Sequence, residues 1–221
     1  MLLAVLVVIL GAVPPAFQQG SASGRTEPTF SLARVEASAD SARYKIDAAQ
    51  SQFIVRAFAG GLLSALAHDH TIAIREFDGE TDFTYVTVEP ASLRMTIRAN
   101  SLAVTDKVSE KDRRNIETTM RDEVLEVSKY PEISFKSSSV SASKTGEGQY
   151  LARIAGEITL HGVSRPLTIT ARLEFGDRTL RAQGSFSLKQ SSFGIKPVSI
   201  AGGTIKVKDE LKFTFNIVAH P

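Results

Sequence analysis

Residues 150–188 read YLARIAGEITLHGVSRPLTITARLEFGDRTLRAQGSFSL, and their alternation decides the fold class. Tyr150, Ala152, Ile154, Gly156, Ile158 and Leu160 share one face of an extended chain. Leu167, Ile169, Ala171, Leu173 and Phe175 form a second such set, and Leu180, Ala182, Gly184, Phe186 and Leu188 a third. A period of two is what a strand with one wet face requires. His161-Gly162-Val163-Ser164-Arg165-Pro166 and Gly176-Asp177-Arg178 separate the three runs. Spacings this short make sequence neighbours pair as antiparallel hairpins.

The same pattern extends in both directions. Leu211, Phe213, Phe215 and Ile217 continue it toward the C-terminus, and Leu93, Met95, Ile97 and Ala99 alternate with Arg94, Thr96, Arg98 and Asn100 upstream. Ser51 to Ala57 and His70 to Phe83 are less regular but strand-like, with Asp78-Gly79 predicting a turn or bulge. One helix interrupts the strands: Ile116, Met120, Val124 and Val127 recur at three and four residues, Ser109 and Asp112 suit its N-terminus, and it stops before Pro131. The expected architecture is all-β, an up-and-down antiparallel barrel of about eight strands with one helix packed on it, plugging an end. A sandwich has the same periodicity.

Composition agrees with a globular domain. The chain has 221 residues, 43% hydrophobic and 23% charged, with 26 Lys+Arg against 24 Asp+Glu and a net charge of +2. This near-balance argues against a polyanion-binding stripe, so no nucleic-acid partner is expected. The absence of cysteine excludes disulfides, thiol nucleophiles and cysteine metal sites. Leu2 to Val13 is an apolar run, followed by Pro14-Pro15 and the small and polar stretch Gln18 to Gly24. Residues 1–24 are expected to be an export signal, with an uncleaved anchor as the alternative, 25–42 a flexible linker and 43–221 the folded domain. The expected location is periplasmic or secreted.

The sequence leaves open whether the barrel interior is filled or hollow. Small residues at Ala152, Gly156, Ala171, Ala182 and Gly184 leave room along one wall. In an apolar cavity each buried CH₂ of a ligand gains about 0.8 kcal/mol. Ala171→Phe or Gly184→Leu would then fill the space. His68-Asp69-His70 is the most chemically suggestive triplet: in a strand both imidazoles share a face with Ile72 and Ile74. Such a pair can ligate a metal ion, meet a polar ligand head, or simply hydrogen-bond within the fold. His161 in a turn and His220 near the C-terminus are not placed beside it by sequence. No Gly-rich phosphate loop, G-x-S-x-G elbow or H-E-x-x-H helix is present. Glu80 with Asp82, and the run Glu110 to Arg114, read as solvated charge. The expectation is a binding protein and not an enzyme, with a metal-binding protein using the His68/His70 pair or a filled-core envelope interaction module as the alternatives.

Four segments carry a family resemblance. Tyr44-Lys45-Ile46-Asp47, Phe77-Asp78-Gly79, Lys129-Tyr130-Pro131-Glu132-Ile133-Ser134-Phe135 and Gly156-Glu157-Ile158-Thr159-Leu160-His161-Gly162-Val163 occur in that order. Together they resemble the YceI-like family over about residues 44–218. The resemblance implies a lipocalin-like barrel, often exported to the bacterial periplasm, whose apolar tunnel binds polyisoprenoid, quinone-like or other long-chain amphiphilic lipids. It implies no catalytic residue and no required cofactor. Gly61 to His70 resembles a branch with a longer apolar lead-in to its histidines. Strand phase assigns the lining to Phe53, Val55, Ile72, Ile74, Leu93, Met95, Ile97, Phe135, Ile154, Ile158, Ile169, Leu173, Phe186, Phe213 and Phe215; His68 and His70 are the metal candidates. Neither an envelope partner nor the oligomeric state, a homodimer included, follows from the sequence.

Overall fold

The computed structural model describes residues 41–62, 68–85 and 88–221. The expected signal and most of the linker, and part of the apolar lead-in at 63–67, lie outside the described residues. The linker boundary moves: Ser41 and Ala42 already belong to strand β1 (Ser41–Ile46), where Ala42 is buried.

The alternating runs become the staves of a closed barrel. β1 and β2 (Gln52–Gly60) lie end to end along one edge of the final strand, β12 (Ile205–His220), in registers Lys45↔His220 and Gln52↔Asn216. β3 (His70–Ile74) pairs with β2, and β4 (Phe77–Thr84) with β1. β5 (Val88–Arg98) pairs with β4, and β6 (Leu102–Val104) with β3. β1 with β2, β3 with β4 and β5 with β6 each make one broken stave. Five continuous staves follow: β7 (Glu132–Gly146), β8 (Gln149–Leu160), β9 (Val163–Phe175), β10 (Leu180–Lys189) and β12, with β11 (Ser199–Ile200) folded onto the start of β12. Every stave pairs with its sequence neighbour and the last returns to the first, giving an eight-strand up-and-down barrel.

The breaks in the first three staves lie beside one another. Asp47 turns the corner between β1 and β2 by accepting the backbone N–H groups of Ala49 and Gln50 at 2.9 and 3.2 Å. On the next stave the break is Arg75-Glu76, not the predicted Asp78-Gly79. Glu76 N–H donates to Ser101 Oγ at 3.0 Å, and the Ser101 segment is itself the break in the third stave. Asp78 and Gly79 stay inside β4, paired with Thr96 and Met95, because Gly79 lets the β5 backbone and Ile46 pack where a side chain would stand.

The predicted turn at His161–Pro166 is also shorter. Only His161 and Gly162 leave the ladder, at φ 52° and 71°, the two-residue hairpin geometry whose twist matches its strands. Pro166 lies within β9 on a stretch that pairs with β8 alone, where no N–H is needed on the other side. β10 leaves β9 at Gly184↔Ala171 and follows β12 alone from there. Gly184 is required at this fork: a Cβ would stand 2.5 Å from the Thr170 carbonyl oxygen and 2.6 Å from the Phe215 ring. Gly184→Leu is therefore a lesion of the wall and no test of a cavity.

Helix α1 (Glu110–Thr119) starts as the sequence indicates. Ser109 Oγ accepts the Asp112 N–H at 3.1 Å and donates to the Asp112 carboxylate at 2.6 Å. The α-helix ends sooner than the spacing predicts, widening into a π turn over Met120–Val124, so Val127 lies beyond it. Glu117 accepts the Val104 N–H at 2.9 Å, which satisfies the outer edge of β6 that no strand covers among the described residues.

Candidate functional site

The barrel is hollow and divided. A narrow chamber of about 140 Å³ and a wide one of about 660 Å³ share the residues Phe53, Ile97, Ile133, Ile158 and Phe186, which form a waist between them. Phe53 is the centre of this waist: its ring lies 6.1–6.4 Å from those of Phe77, Phe186, Phe213 and Phe215, all edge-on, while Phe186 and Phe213 stack at 4.8 Å. The narrow chamber ends in a second aromatic group, with Phe83 5.1 Å from Tyr44 and 5.2 Å from Phe175. Burial, reinforced by the neighbouring Tyr85 hydroxyl, pushes the Tyr44 hydroxyl up to about 12, so it stays neutral at that end.

The structure places all fifteen residues assigned by strand phase on the chamber walls. Leu93, Met95, Phe135, Ile154, Ile169, Leu173 and Phe215 line the narrow chamber; Val55, Ile72, Ile74 and Phe213 line the wide one; Phe53, Ile97, Ile158 and Phe186 line both. The fifteen leave out strand residues of the wide chamber such as Ala57, Leu160, Leu188 and Leu211, and strand phase cannot reach the part of its wall that is not strand. Here β9 and β10 have separated and β6 has a free edge, and the openings are covered by α1 with its π turn and by residues 190–198. Ile116, Met120, Val124, Leu125, Ile195 and Val198 line the chamber from these pieces. The three- and four-residue spacing of Ile116, Met120 and Val124 was the available signal for the helical part.

Polar side chains fasten these covers. The β12 backbone bulges between Val207 and Leu211, and the buried Gln190 side chain donates to the exposed Lys208 carbonyl at 3.0 Å. Ser191 donates its N–H and hydroxyl to Asp209 at 2.8 and 2.6 Å. His161, its ring tilted 55° against that of Tyr130 at 4.4 Å, joins Glu126 beyond the π turn at 2.8 Å and the Phe193 carbonyl at 3.3 Å.

Four carboxyls, Glu126 and Asp209 at these joints, Asp82 on the β1–β4 ladder and Asp47 at the β1–β2 corner, are held below their ordinary values of 3.8 (Asp) and 4.5 (Glu). The causes are Lys129 and then His161 for Glu126, Ser191 for Asp209, Arg43 for Asp82, and Gln50 for Asp47. A depressed carboxyl adds stability above its unfolded pKa and loses it as pH falls through its folded pKa. Melting temperature is thus expected to hold between about pH 7 and 5 and to drop below about pH 4. A melting curve unchanged down to about pH 3 would show that these contacts do not contribute.

The histidine pair is not what its spacing predicts. β3 begins only at His70, so His68 is outside the strand and exposed, and the two rings do not share an inward face. His70 does line the wide chamber, with Nδ1 2.9 Å from Asp106 Oδ2. Among the described residues no group of three or more His, Asp or Glu side chains is placed to hold a metal ion.

The YceI-like domain profile matches residues 44–219, nearly the whole described barrel. The chain belongs to the YceI-like family. Curated relatives of this YceI-like chain include a UPF0312 protein of Pseudomonas aeruginosa, 32% identical over 127 residues, and one of Pseudomonas putida, 27% identical over 128 residues. Each alignment covers 55% of the chain, which spans about three fifths of those relatives (61% and 62%). Among solved structures, Burkholderia cenocepacia BcnA superposes with a TM-score of 0.60 at 21% identity, covering 78% of this chain and 98% of that one. A polyisoprenoid-binding domain from Saccharophagus degradans, implicated in plant cell wall breakdown, gives 0.58 at 13% identity, covering 80% and 97%. At these identities the likeness is one of fold.

Proposed function

We propose that this YceI-like protein is a carrier that sequesters a polyisoprenoid, quinone-like or other long-chain amphiphilic lipid, and that it carries out no catalysis. The observation that carries this reading is the wide chamber, about 660 Å³ of space walled mainly by aliphatic and aromatic side chains. At roughly 30 Å³ per heavy atom, the share of a water molecule in the liquid, that is room for a C15 to C20 chain. Such a chain gains about 0.8 kcal/mol per buried CH₂ before the costs of association. The polyisoprenoid-binding character of the Saccharophagus degradans domain adds support. Export through residues 1–24 is part of the proposal and places the carrier in the periplasm or outside the cell.

The test is mass spectrometry of the protein purified gently from its own envelope. Native spectra and organic extracts are expected to contain a stoichiometric prenyl or long-chain species, and the intact mass to correspond to a chain lacking about the first 24 residues. A protein that is empty on isolation and also fails to load when challenged with geranylgeraniol and longer prenyl chains would overturn the carrier reading. An intact mass that retains residue 1 would overturn cleavage. Metal analysis of the same preparation decides the His68/His70 metal proposal.

A further inference from the structure

The apolar lining leaves one arrangement of the wide chamber unused. His70 stands on the chamber wall with Nδ1 2.9 Å from Asp106, and the same carboxylate accepts the Thr71 backbone N–H at 3.0 and 3.1 Å. The Asp106 loop is held from two further directions. Thr105 donates its N–H and its hydroxyl to the Thr71 carbonyl at 2.9 and 3.1 Å, and the Arg113 guanidinium reaches the Asp106 carbonyl at 3.4 Å. Asp106 is therefore a fixed acceptor behind the ring.

An ionised carboxylate accepts hydrogen bonds and donates none. The ring proton facing Asp106 must sit on Nδ1, and a neutral imidazole protonated there presents Nε2 as an acceptor. Such an acceptor on an apolar wall is satisfied by an O–H group and left unpaired by an ether, ester or ketone oxygen. We propose that His70 Nε2 is the head-group site of the wide chamber and selects amphiphiles that end in a hydroxyl: long-chain or prenyl alcohols and quinols. Asp106 is the positioning residue that sets the tautomer. Asn115 and Thr119, lining the same chamber from α1, supply further hydrogen-bonding capacity around the head. Lys189, also on the lining and exposed at the end of β10, makes an anionic head the competing chemistry. The inference rests on the carrier reading above.

The test titrates the full chain, with EDTA present throughout, against geranylgeraniol, its methyl ether and geranylgeranoic acid, three ligands sharing one tail. The alcohol is expected to bind the wild type about 5- to 10-fold more tightly than the ether, the yield of one hydrogen bond at an otherwise unpaired group. It is also expected to bind more tightly than the acid. In His70→Leu, alcohol and ether should bind equally, at the wild-type ether's level. In Asp106→Asn, the Thr71 N–H holds the amide oxygen and turns the amide NH₂ toward Nδ1, so Nε2 becomes the protonated nitrogen and the preference for the alcohol disappears. Equal wild-type affinities for alcohol and ether would overturn the head-group site and leave the carrier reading standing. A tighter acid would do the same in favour of Lys189. Failure of all three ligands to bind the wild type would overturn the carrier reading itself. The wild-type comparison needs no variant to fold.

Discussion

Phe53→Ala is expected to lower the free energy of unfolding by about 3–4 kcal/mol, within the range measured for removing a buried phenylalanine. Phe53 is 6% exposed and its ring meets four others edge-on. Such pairs contribute about 0.5–1.5 kcal/mol each beyond their buried area. The neighbouring strands cannot close the gap, because Phe53 already stands between two hollow chambers and the barrel ladder on both sides of β2 fixes the wall positions. The same hollowness keeps the loss below the upper end of the range, since the faces of the ring toward each chamber have few atoms to lose. Urea unfolding read by circular dichroism checks the value. The midpoint should fall with little change in slope, since the surface exposed on unfolding is nearly the same. A loss under about 1 kcal/mol would mean that Phe53 is a loosely held gate and not the keystone of the waist.

Much of this fold could be read from the chain because a barrel is built from repeated local pattern. Once Ile158, Ile169, Ala182 and Phe213 are seen to alternate with charged or polar neighbours, the inward face of each stave is determined, and a slip of one residue would invert it. That is why strand phase located the wall of both chambers. It could not reveal that the staves part at Gly184 and at β6, since separation of paired strands depends on contacts distant in sequence. Here they are the Phe215 ring over Gly184 and the Glu117 carboxylate on the Val104 N–H. The histidines show the same limit. The phase of His70 with Ile72 and Ile74 holds because all three lie in β3, whereas His68 precedes the strand and obeys no phase. Asp106, 36 positions beyond His70, carried no local mark of becoming its partner.

Filling the wide chamber should remove most ligand binding, whereas filling the narrow one should discriminate by chain length. Ala57 is buried in β2 on the wall of the wide chamber. In Ala57→Trp the indole occupies space that otherwise holds ligand. If it displaces about five methylenes at about 0.8 kcal/mol each, the loss is about 4 kcal/mol, or several hundred-fold to a thousand-fold in affinity. Because the added ring enters a void and not a packed core, the overpacking penalty on the fold is small. Ala171, 1% exposed, lies on the other side of the waist, in a chamber of about 140 Å³. Ala171→Phe should leave a C15 prenyl alcohol bound within about twofold, since that chain fits the wide chamber at roughly 30 Å³ per heavy atom. A chain of about eight isoprene units exceeds that space and must pass the Phe53–Phe186 waist, so it should weaken more than about tenfold, the equivalent of two excluded methylenes. Fluorescence displacement titrations with the two chain lengths, on variants whose melting is cooperative, read both effects. Equal weakening of short and long chains by Ala171→Phe would show that tails enter from the narrow end, reversing the direction in which the barrel is filled.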